Sequence, residues 1–449
     1  MDRVLVFGAG ISGISATKLL LSMNLKVLLY EENKNVDIEK IKREIGNNEN
    51  LEIKTNIFDR DFKDVSLIVI SPGIPKTNET YLLMKNKNIP IISELELGFL
   101  QSKGKIVAIT GSNGKTTVTT LVGEILKKHY EKTFVVGNVG EAITSHVKEM
   151  DDNSATVIEC SSFQLEDIVK FKPNIATILN FSCDHLERYE SYTNYINAKL
   201  RIAMNMDAND ILVLNYEDDI IRNLSVHQNA FKAKIVFFSS ERKLADGFYV
   251  FKDSIYLKDS IKTIKLLDIK DLKLVGKHNI ENVMASMAIG YYMGVSLSDI
   301  VDVCKEFKTL PHRIEFVAEI GKVKYYNDSK ATNPDATIKA LDCMEGKVIL
   351  IAGGHDKGID FGDLIVKIKE KVKYLILIGE AKKIIAAKAR MVGFEDIIYA
   401  DTLKDAVKIS KSYANVNDVV LLSPACSSYD MFKNYMERGD KFKEYVKSV

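Results

Sequence analysis

The sequence predicts an α/β fold of three domains with mostly parallel sheets: a Rossmann-like N-terminal domain, a central P-loop ATPase-like domain and a Rossmann-like C-terminal domain. Three observations carry that prediction. The chain has 449 residues, about three domains' worth at roughly 150 residues each. Compact apolar runs alternate with longer helical patterns from end to end, as parallel strands joined by covering helices require. In each third of the chain a glycine-bearing loop directly follows a strand.

Composition narrows the class further. Hydrophobic residues make up 46% and charged residues 27%, an ordinary balance for a folded globular protein. With 62 basic and 61 acidic side chains the net charge is +1, which offers no footprint for nucleic acid or an anionic membrane. Any anionic ligand must therefore be held by local chemistry. No apolar run reaches the roughly 20 residues of a membrane helix. The apolar stretch 4–16 does not read as a signal segment, because cleavage there would remove a patterned glycine loop. Cys160, Cys183, Cys304, Cys343 and Cys426 are odd in number and scattered. They suit reduced thiols in a cytoplasm better than a disulfide frame or a zinc site.

The first domain is expected over 1–93. Its strand 3–7 leads into Gly8-Ala9-Gly10-Ile11-Ser12-Gly13 and then a helix. In that context G-x-G-x-x-G permits a tight turn and lets backbone N–H groups meet a pyrophosphate at a helix N-terminus. After strand 26–30 comes Glu31, placed to meet a ribose hydroxyl. A polar stretch, 33–56, precedes the third strand expected, 67–71. Ser71-Pro72-Gly73-Ile74-Pro75 follows it, and its two prolines stiffen a loop that could wall the same crevice. By itself this pocket fits a nicotinamide cofactor or another diphosphate nucleotide.

The second domain is expected over 94–309, opening with a helix at 94–101. Strand 105–110 runs into Thr110-Gly111-Ser112-Asn113-Gly114-Lys115-Thr116-Thr117. Its glycines let amides wrap an anion, Lys115 neutralises β- and γ-phosphates, and the Thr116 hydroxyl can ligate magnesium. The usual loop has a glycine five residues before Gly114, where this chain has Ile109, so this is a shortened variant. Strand 155–159 ends on Glu159, and strand 176–180 is followed by Asp184-His185. Oxygen ligands with one imidazole beside a nucleotide describe magnesium better than zinc. Lys199 lies on an amphipathic helix, where the default is a solvated lysine. Strand 211–215 precedes a segment, 231–269, that reads as a small β-rich insertion. His278-Asn279-Ile280-Glu281-Asn282 opens a helix; Asn279 and Asn282 fit either capping or an adenine edge.

The third domain is expected over 310–449, with strands at 348–352, 374–378 and 419–423. The first meets Gly353-Gly354-His355-Asp356-Lys357-Gly358 and the last meets Ser423-Pro424-Ala425-Cys426-Ser427-Ser428. Both loops leave carboxyl ends of parallel strands, where ligands gather, so they are expected to share one site.

Taken together these residues resemble the Mur ligases of peptidoglycan synthesis, ATP-dependent amide-forming enzymes of three domains. The resemblance rests on Gly111 to Thr117, Gly137-Asn138-Val139-Gly140, Glu159-Cys160-Ser161-Ser162, Asp184-His185, Lys199, His278-Asn279 and Pro311-His312-Arg313, in that order. Further marks are similar to the branch that joins D-glutamate to UDP-N-acetylmuramoyl-L-alanine. They are Gly8 to Gly13 with Ser71-Pro72-Gly73, Asn327-Asp328-Ser329-Lys330-Ala331-Thr332-Asn333, and the tail through Ser428-Tyr429-Asp430, Tyr435 and Glu437-Arg438-Gly439.

The resemblance implies a role for each matching position. Gly10, Ile11, Ser12, Ser71, Pro72 and Gly73 would hold the UDP part of the substrate, with Asn138 and His185 toward its acyl end. Gly111, Ser112, Asn113, Gly114, Lys115, Thr116 and Thr117 would hold ATP phosphates, Asn279 and Asn282 the adenine, and Arg313 and Asp328 phosphate and ribose. Two magnesium sites would draw on Thr116, Glu159, His185 and a carbamylated Lys199, whose cation becomes an anion. Lys330, Thr332, Lys357, Ser428, Tyr429 and Tyr435 would seat D-glutamate. Lys115, His185, Lys199 and Asp328 would be the catalytic set, in a cytoplasmic monomer. Asn33 departs from the basic residue usual in the family for gripping the uracil or phosphate end. Tyr429 and Tyr435 replace an aliphatic side chain and a phenylalanine. The rival readings are a sister Mur ligase with another amino-acid acceptor, a nicotinamide-dependent oxidoreductase and a nucleotide sensor without turnover.

Overall fold

Apolar runs that can bury both faces become central strands, and shorter or more charged runs line the sheet edges. The structure is a computed structural model that describes residues 3–138, 140–182, 188–189, 191–226, 231–274, 276–308, 311–356 and 358–449. Among the described residues the strands form three sheets. The first contains β1 (Arg3–Phe7), β2 (Lys26–Tyr30), β3 (Leu51–Lys54), β4 (Val65–Ile70) and β5 (Ile91–Ser93), ordered β3-β2-β1-β4-β5. Every pairing in it is parallel. The chain therefore reverses direction across the sheet between β1 and β4, where the carboxyl-end loops splay into a crevice.

The second sheet contains β6 (Lys105–Thr110), β7 (Thr133–Gly137), β8 (Ala155–Glu159), β9 (Ile175–Ile178), β10 (Ile211–Asn215), β11 (Lys234–Ser239), β12 (Gly247–Phe251), β13 (Ser254–Lys258) and β14 (Thr263–Asp268). Their order is β14-β13-β12-β11-β10-β9-β6-β8-β7. β6, the central strand that feeds the phosphate loop, pairs in parallel with β8 and β9. The third sheet runs β15 (Glu315–Ile320), β16 (Val323–Asn327), β17 (Val348–Gly353), β18 (Val372–Ile378), β19 (Ile397–Tyr399) and β20 (Val419–Leu422), ordered β15-β16-β20-β17-β18-β19. Only β15 joins it antiparallel. The chain is thus α/β with mostly parallel sheets, as expected.

Some elements depart from the sequence reading. The polar stretch 33–56 contains the helix Ile38–Ile45 and the edge strand β3, so Ser71 follows a fourth strand and not a third. An edge strand needs burial on fewer sides, and β3 carries Glu52 and Lys54 without disrupting its pairing to β2. The segment 231–269 is β-rich, yet it is no separate insertion. β11 continues the parallel sheet beyond β10, and β12 to β14 extend it as a meander.

The chain divides into two compact units. One holds the first and second sheets; the other holds the third. Within the first unit, one apolar core runs from Val6 and Leu20 through Leu95 and Ile143 to Ile106 and Ile158, so the two sheets share their packing. In the second unit, separate cores cover the two faces of the third sheet. The sequence boundary at 309/310 falls on residues outside the described ones. No helix among the described residues is long and apolar enough to cross a membrane.

Candidate active site

The loop after β1 is folded as its glycines require. Gly8 has φ +98°, and a Cβ on Gly13 would stand 1.7 Å from the Gly8 carbonyl oxygen. The helix Ile11–Ser22 starts at Gly10 with no side-chain cap, which leaves its N-terminal dipole turned to the crevice. Ser71 closes the other wall: its N–H donates to the Phe7 carbonyl at 3.0 Å and its hydroxyl to the Gly8 carbonyl at 3.2 Å. Glu31 uses both carboxylate oxygens on backbone, accepting from Ala9 N–H at 2.8 Å and Asn33 N–H at 2.9 Å. Its immediate work is therefore to hold the glycine loop. Ile11 is exposed beside the loop.

The phosphate loop after β6 is built with the loop after β9. Ser112 N–H donates to the Asn180 carbonyl at 3.0 Å, and Asn113 N–H to Asn180 Oδ1 at 2.9 Å. Gly114, at φ +87°, caps the helix Lys115–Leu126 in the left-handed region. A Cβ there would meet Asn282 Oδ1 at 2.4 Å, which places the Asn282 amide against the loop. Thr116 and Thr117 are buried. Lys115 Nζ donates to the carbonyls of Gly111 and Ser112 at 2.8 and 2.9 Å.

Lys199 overturns the solvated default. It is 2% exposed, its Nζ donates to the Gly111 carbonyl at 2.9 Å, and it stands 4.8 Å from the Tyr195 ring centroid. Tyr195 in turn bonds the Ser112 hydroxyl at 2.9 Å. Two lysine ammonium groups thus converge on one carbonyl oxygen. At that spacing, about 6 Å or less, their repulsion is roughly 3 kcal/mol at an effective dielectric of 20. The arrangement calls for anionic charge beside it.

Glu159 ends β8, the strand paired with β6. It is 1% exposed; Oε1 accepts from Asn138 Nδ2 at 2.9 Å, whereas Oε2 is buried with no hydrogen-bond partner among the described residues. Leaving such an oxygen unsatisfied costs about 1–3 kcal/mol or more, so it is suited to a cation ligand. Asn138 is fixed by a second bond, N–H to the Glu159 carbonyl at 2.9 Å. The Thr116 hydroxyl and the Glu159 carboxylate are buried oxygen donors of the kind that suits magnesium. His185 lies outside the described residues, as does Lys357.

In the second unit, the loops after β16 and β20 are tied by a residue the sequence reading gave no role. Arg438 is 1% exposed. Its guanidinium donates to Ser329 Oγ at 2.9 Å and to the carbonyls of Ser329, Cys426 and Ser427 at 2.8, 3.1 and 3.3 Å. Burial lowers its pKa to about 10, so it keeps its charge at neutral pH. Asp328 accepts from Ser423 Oγ at 2.7 Å and Ile314 N–H at 3.2 Å, and desolvation pushes its carboxyl up to about 7. Arg313 sits between His312 and Ile314, both at positive φ (65° and 47°), a strained backbone of the kind found at binding sites. Lys330 Nζ lies 5.1 Å from the Tyr435 ring centroid. Ser428 is buried, Thr332 is half-buried and Tyr429 is 73% exposed. A buried arginine in Glu437-Arg438-Gly439 looks like a surface charge in sequence. Only the adjacent Gly439, whose Cβ would meet His312 Nδ1 at 2.2 Å, hints at close packing.

A shortened phosphate loop thus follows the central strand of a mostly parallel sheet, with a buried lysine on its Gly111 carbonyl. Residues 109–290 match the Mur ligase middle domain and residues 312–426 the Mur ligase glutamate ligase domain. The sequence is 43% identical, over 100% of this chain and 98% of the relative, to UDP-N-acetylmuramoylalanine--D-glutamate ligase of Lachnoclostridium phytofermentans. It is 39% identical, at the same coverages, to the enzyme of that name from Clostridioides difficile. The chain belongs to the Mur ligase family, among the UDP-N-acetylmuramoylalanine--D-glutamate ligases. Its fold is similar to UDP-N-acetylmuramate-alanine ligase MurC of Thermotoga maritima, with TM-score 0.60, 19% identity and full coverage of both chains. It is also similar to MurF ligase of that organism in complex with ADP, with TM-score 0.56, 18% identity and 87% and 92% coverage.

Proposed function

We infer that the strand-end loops divide one reaction among them, the ATP-dependent addition of D-glutamate to UDP-N-acetylmuramoyl-L-alanine. The observation that carries this reading is the convergence of Lys115 and Lys199 on the Gly111 carbonyl, with Glu159 ending the strand paired beside β6. A carboxylate does not form an amide in water without activation. The L-alanyl carboxylate therefore attacks the γ-phosphate of ATP, the bond from that phosphorus to the β–γ bridging oxygen breaks, and ADP leaves behind an acyl phosphate; Lys115 offsets the repulsion between the two anions. The neutral D-glutamate amine then adds to the acyl carbon of the acyl phosphate, and the tetrahedral intermediate expels inorganic phosphate as the nitrogen gives up its proton, leaving the amide.

The three parts of the chain take separate tasks: 1–93 holds the UDP moiety on Gly10 to Ser12 and Ser71 to Gly73, 94–309 the ATP, and 310–449 the amino acid. Lys330, Thr332, Lys357, Ser428, Tyr429 and Tyr435 are assigned to D-glutamate. Asn279 and Asn282 are assigned to adenine, Arg313 and Asp328 to phosphate and ribose. Thr116, Glu159, His185 and carbamylated Lys199 would hold magnesium, which neutralises phosphate charge when bound. Asn138 aligns the acyl end beside Glu159. The reading places a monomer in the cytoplasm, where its nucleotide substrates are made.

The test is Lys199. Lys199→Ala is expected to lower kcat by ~100-fold or more, the scale of losing one aligned charge at a phosphoryl-transfer site. Wild-type activity should fall in CO2-depleted buffer and return with bicarbonate, whereas the variant should not respond. Unchanged turnover in the variant, or an indifference of the wild type to CO2, would remove the carbamate from the account.

A further inference from the structure

Helix Glu94–Gln101 carries two buried carboxylates that none of the chemistry above uses. Glu94 is 2% exposed and Glu96 is 1% exposed. Glu96 accepts three backbone N–H groups, from Val169, Lys170 and Phe171, at 2.9, 2.7 and 2.9 Å. Glu94 Oε1 faces the short turn Ile143–Ser145, accepting from Thr144 N–H at 2.9 Å and Thr144 Oγ1 at 2.7 Å. Thr144 Oγ1 also lies 2.6 Å from Ser15 Oγ, which lies 2.8 Å from Ser145 Oγ. The single Thr144 hydroxyl proton is committed to Glu94. Ser15 must then donate to Thr144, and Ser145 to Ser15. The result is one polar order ending on Glu94 Oε1, which accepts. Packing is equally specific, since a Cβ on Gly98 would stand 2.2 Å from Ile143 Cγ2.

Ser15 belongs to the helix that leaves the first glycine loop, and Thr144 follows Asn138 by only a few residues. Between them the backbone is held, because Gly137 N–H donates to the Glu141 carbonyl and Asn138 N–H to the Glu159 carbonyl, each at 2.9 Å. Burying such polar groups adds little net stability over well-packed apolar side chains, and their better-attested use is to fix a register. We propose that the Ser145–Ser15–Thr144–Glu94 chain is a positioning device: it sets the span between the glycine loop after β1 and the Asn138–Glu159 pair, so that one extended substrate reaches both. This rests on the assignment of the first glycine loop to the UDP moiety.

The test uses the full-length enzyme with Thr144→Val, Ser15→Ala and Thr144→Ser. UDP binding is measured by calorimetry, and steady-state kinetics with all three substrates. The Val and Ala variants should bind UDP, and show a KM for ATP, within about 2-fold of wild type. Their kcat should fall ~10-fold or more, because a small misplacement of reacting groups is costly, and Thr144→Ser should restore most of it. Should Thr144→Val fail to fold, Ser15→Ala, which deletes one hydroxyl, carries the comparison. Unchanged kcat, or UDP affinity lost in step with kcat, would overturn the proposal. A wild-type enzyme that does not bind UDP would overturn the loop assignment beneath it.

Discussion

Asp328 shows how burial sets the chemistry of single residues. Desolvation raises its pKa from 3.8 to about 7, and the hydrogen bonds from Ser423 and Ile314 N–H only partly oppose this. Between pH 4 and 7 the folded protein therefore holds a proton that the unfolded chain has released. Stability should fall as pH rises through that window, by up to about 1.4 kcal/mol per pH unit from this group, and level off above pH 7. Asp328→Asn should flatten this component when denaturant midpoints are compared across pH; an identical slope in wild type and variant would show that the carboxyl is not so shifted. Sequence reveals Asp328 as a polar group in a motif, but its shift arises from packing around it. Lys199 teaches the same lesson: helical periodicity makes it a surface lysine, and only the approach of Tyr195 and Gly111 buries it. Arg438 was illegible for the same reason, since all four of its acceptors lie on loops distant in sequence or beyond the strand end.

The most legible elements are the central strands with long apolar runs. β1, β2, β6, β8 and β10 are apolar runs at sheet centres and coincide with the runs read from sequence. β3, β7 and β19 lie at sheet edges and were not read, because half-solvated strands tolerate polar residues. Loops at strand ends were legible wherever glycine is sterically required. At Gly114 both φ +87° and the 2.4 Å approach of Asn282 demand it. Gly114→Ala should raise the KM for ATP by ~10-fold or more while the KM for UDP-N-acetylmuramoyl-L-alanine changes little, since left-handed strain of about 1–2 kcal/mol and the clash act on one loop. Equal effects on both substrates would mean that the change is not confined to the phosphate loop.

For the molecule as a whole, a net charge of +1 conceals a local design. The proposed sites draw on Lys115, Arg313 and Lys330, while the chain's 62 basic and 61 acidic side chains nearly cancel. The first glycine loop alone would equally suit a nicotinamide enzyme. The phosphate loop, with Lys199 buried on its Gly111 carbonyl, turns the reading to ATP-dependent chemistry, and the family membership agrees. The acceptor amino acid is where sister ligases differ, and it is the most direct test of the whole account. Phosphate release should be measured with ATP, magnesium and UDP-N-acetylmuramoyl-L-alanine across D-glutamate, L-glutamate, L-alanine and a diamino acid. The account predicts release that requires the UDP substrate and is sustained by D-glutamate alone; equal release with L-alanine or the diamino acid would contradict it.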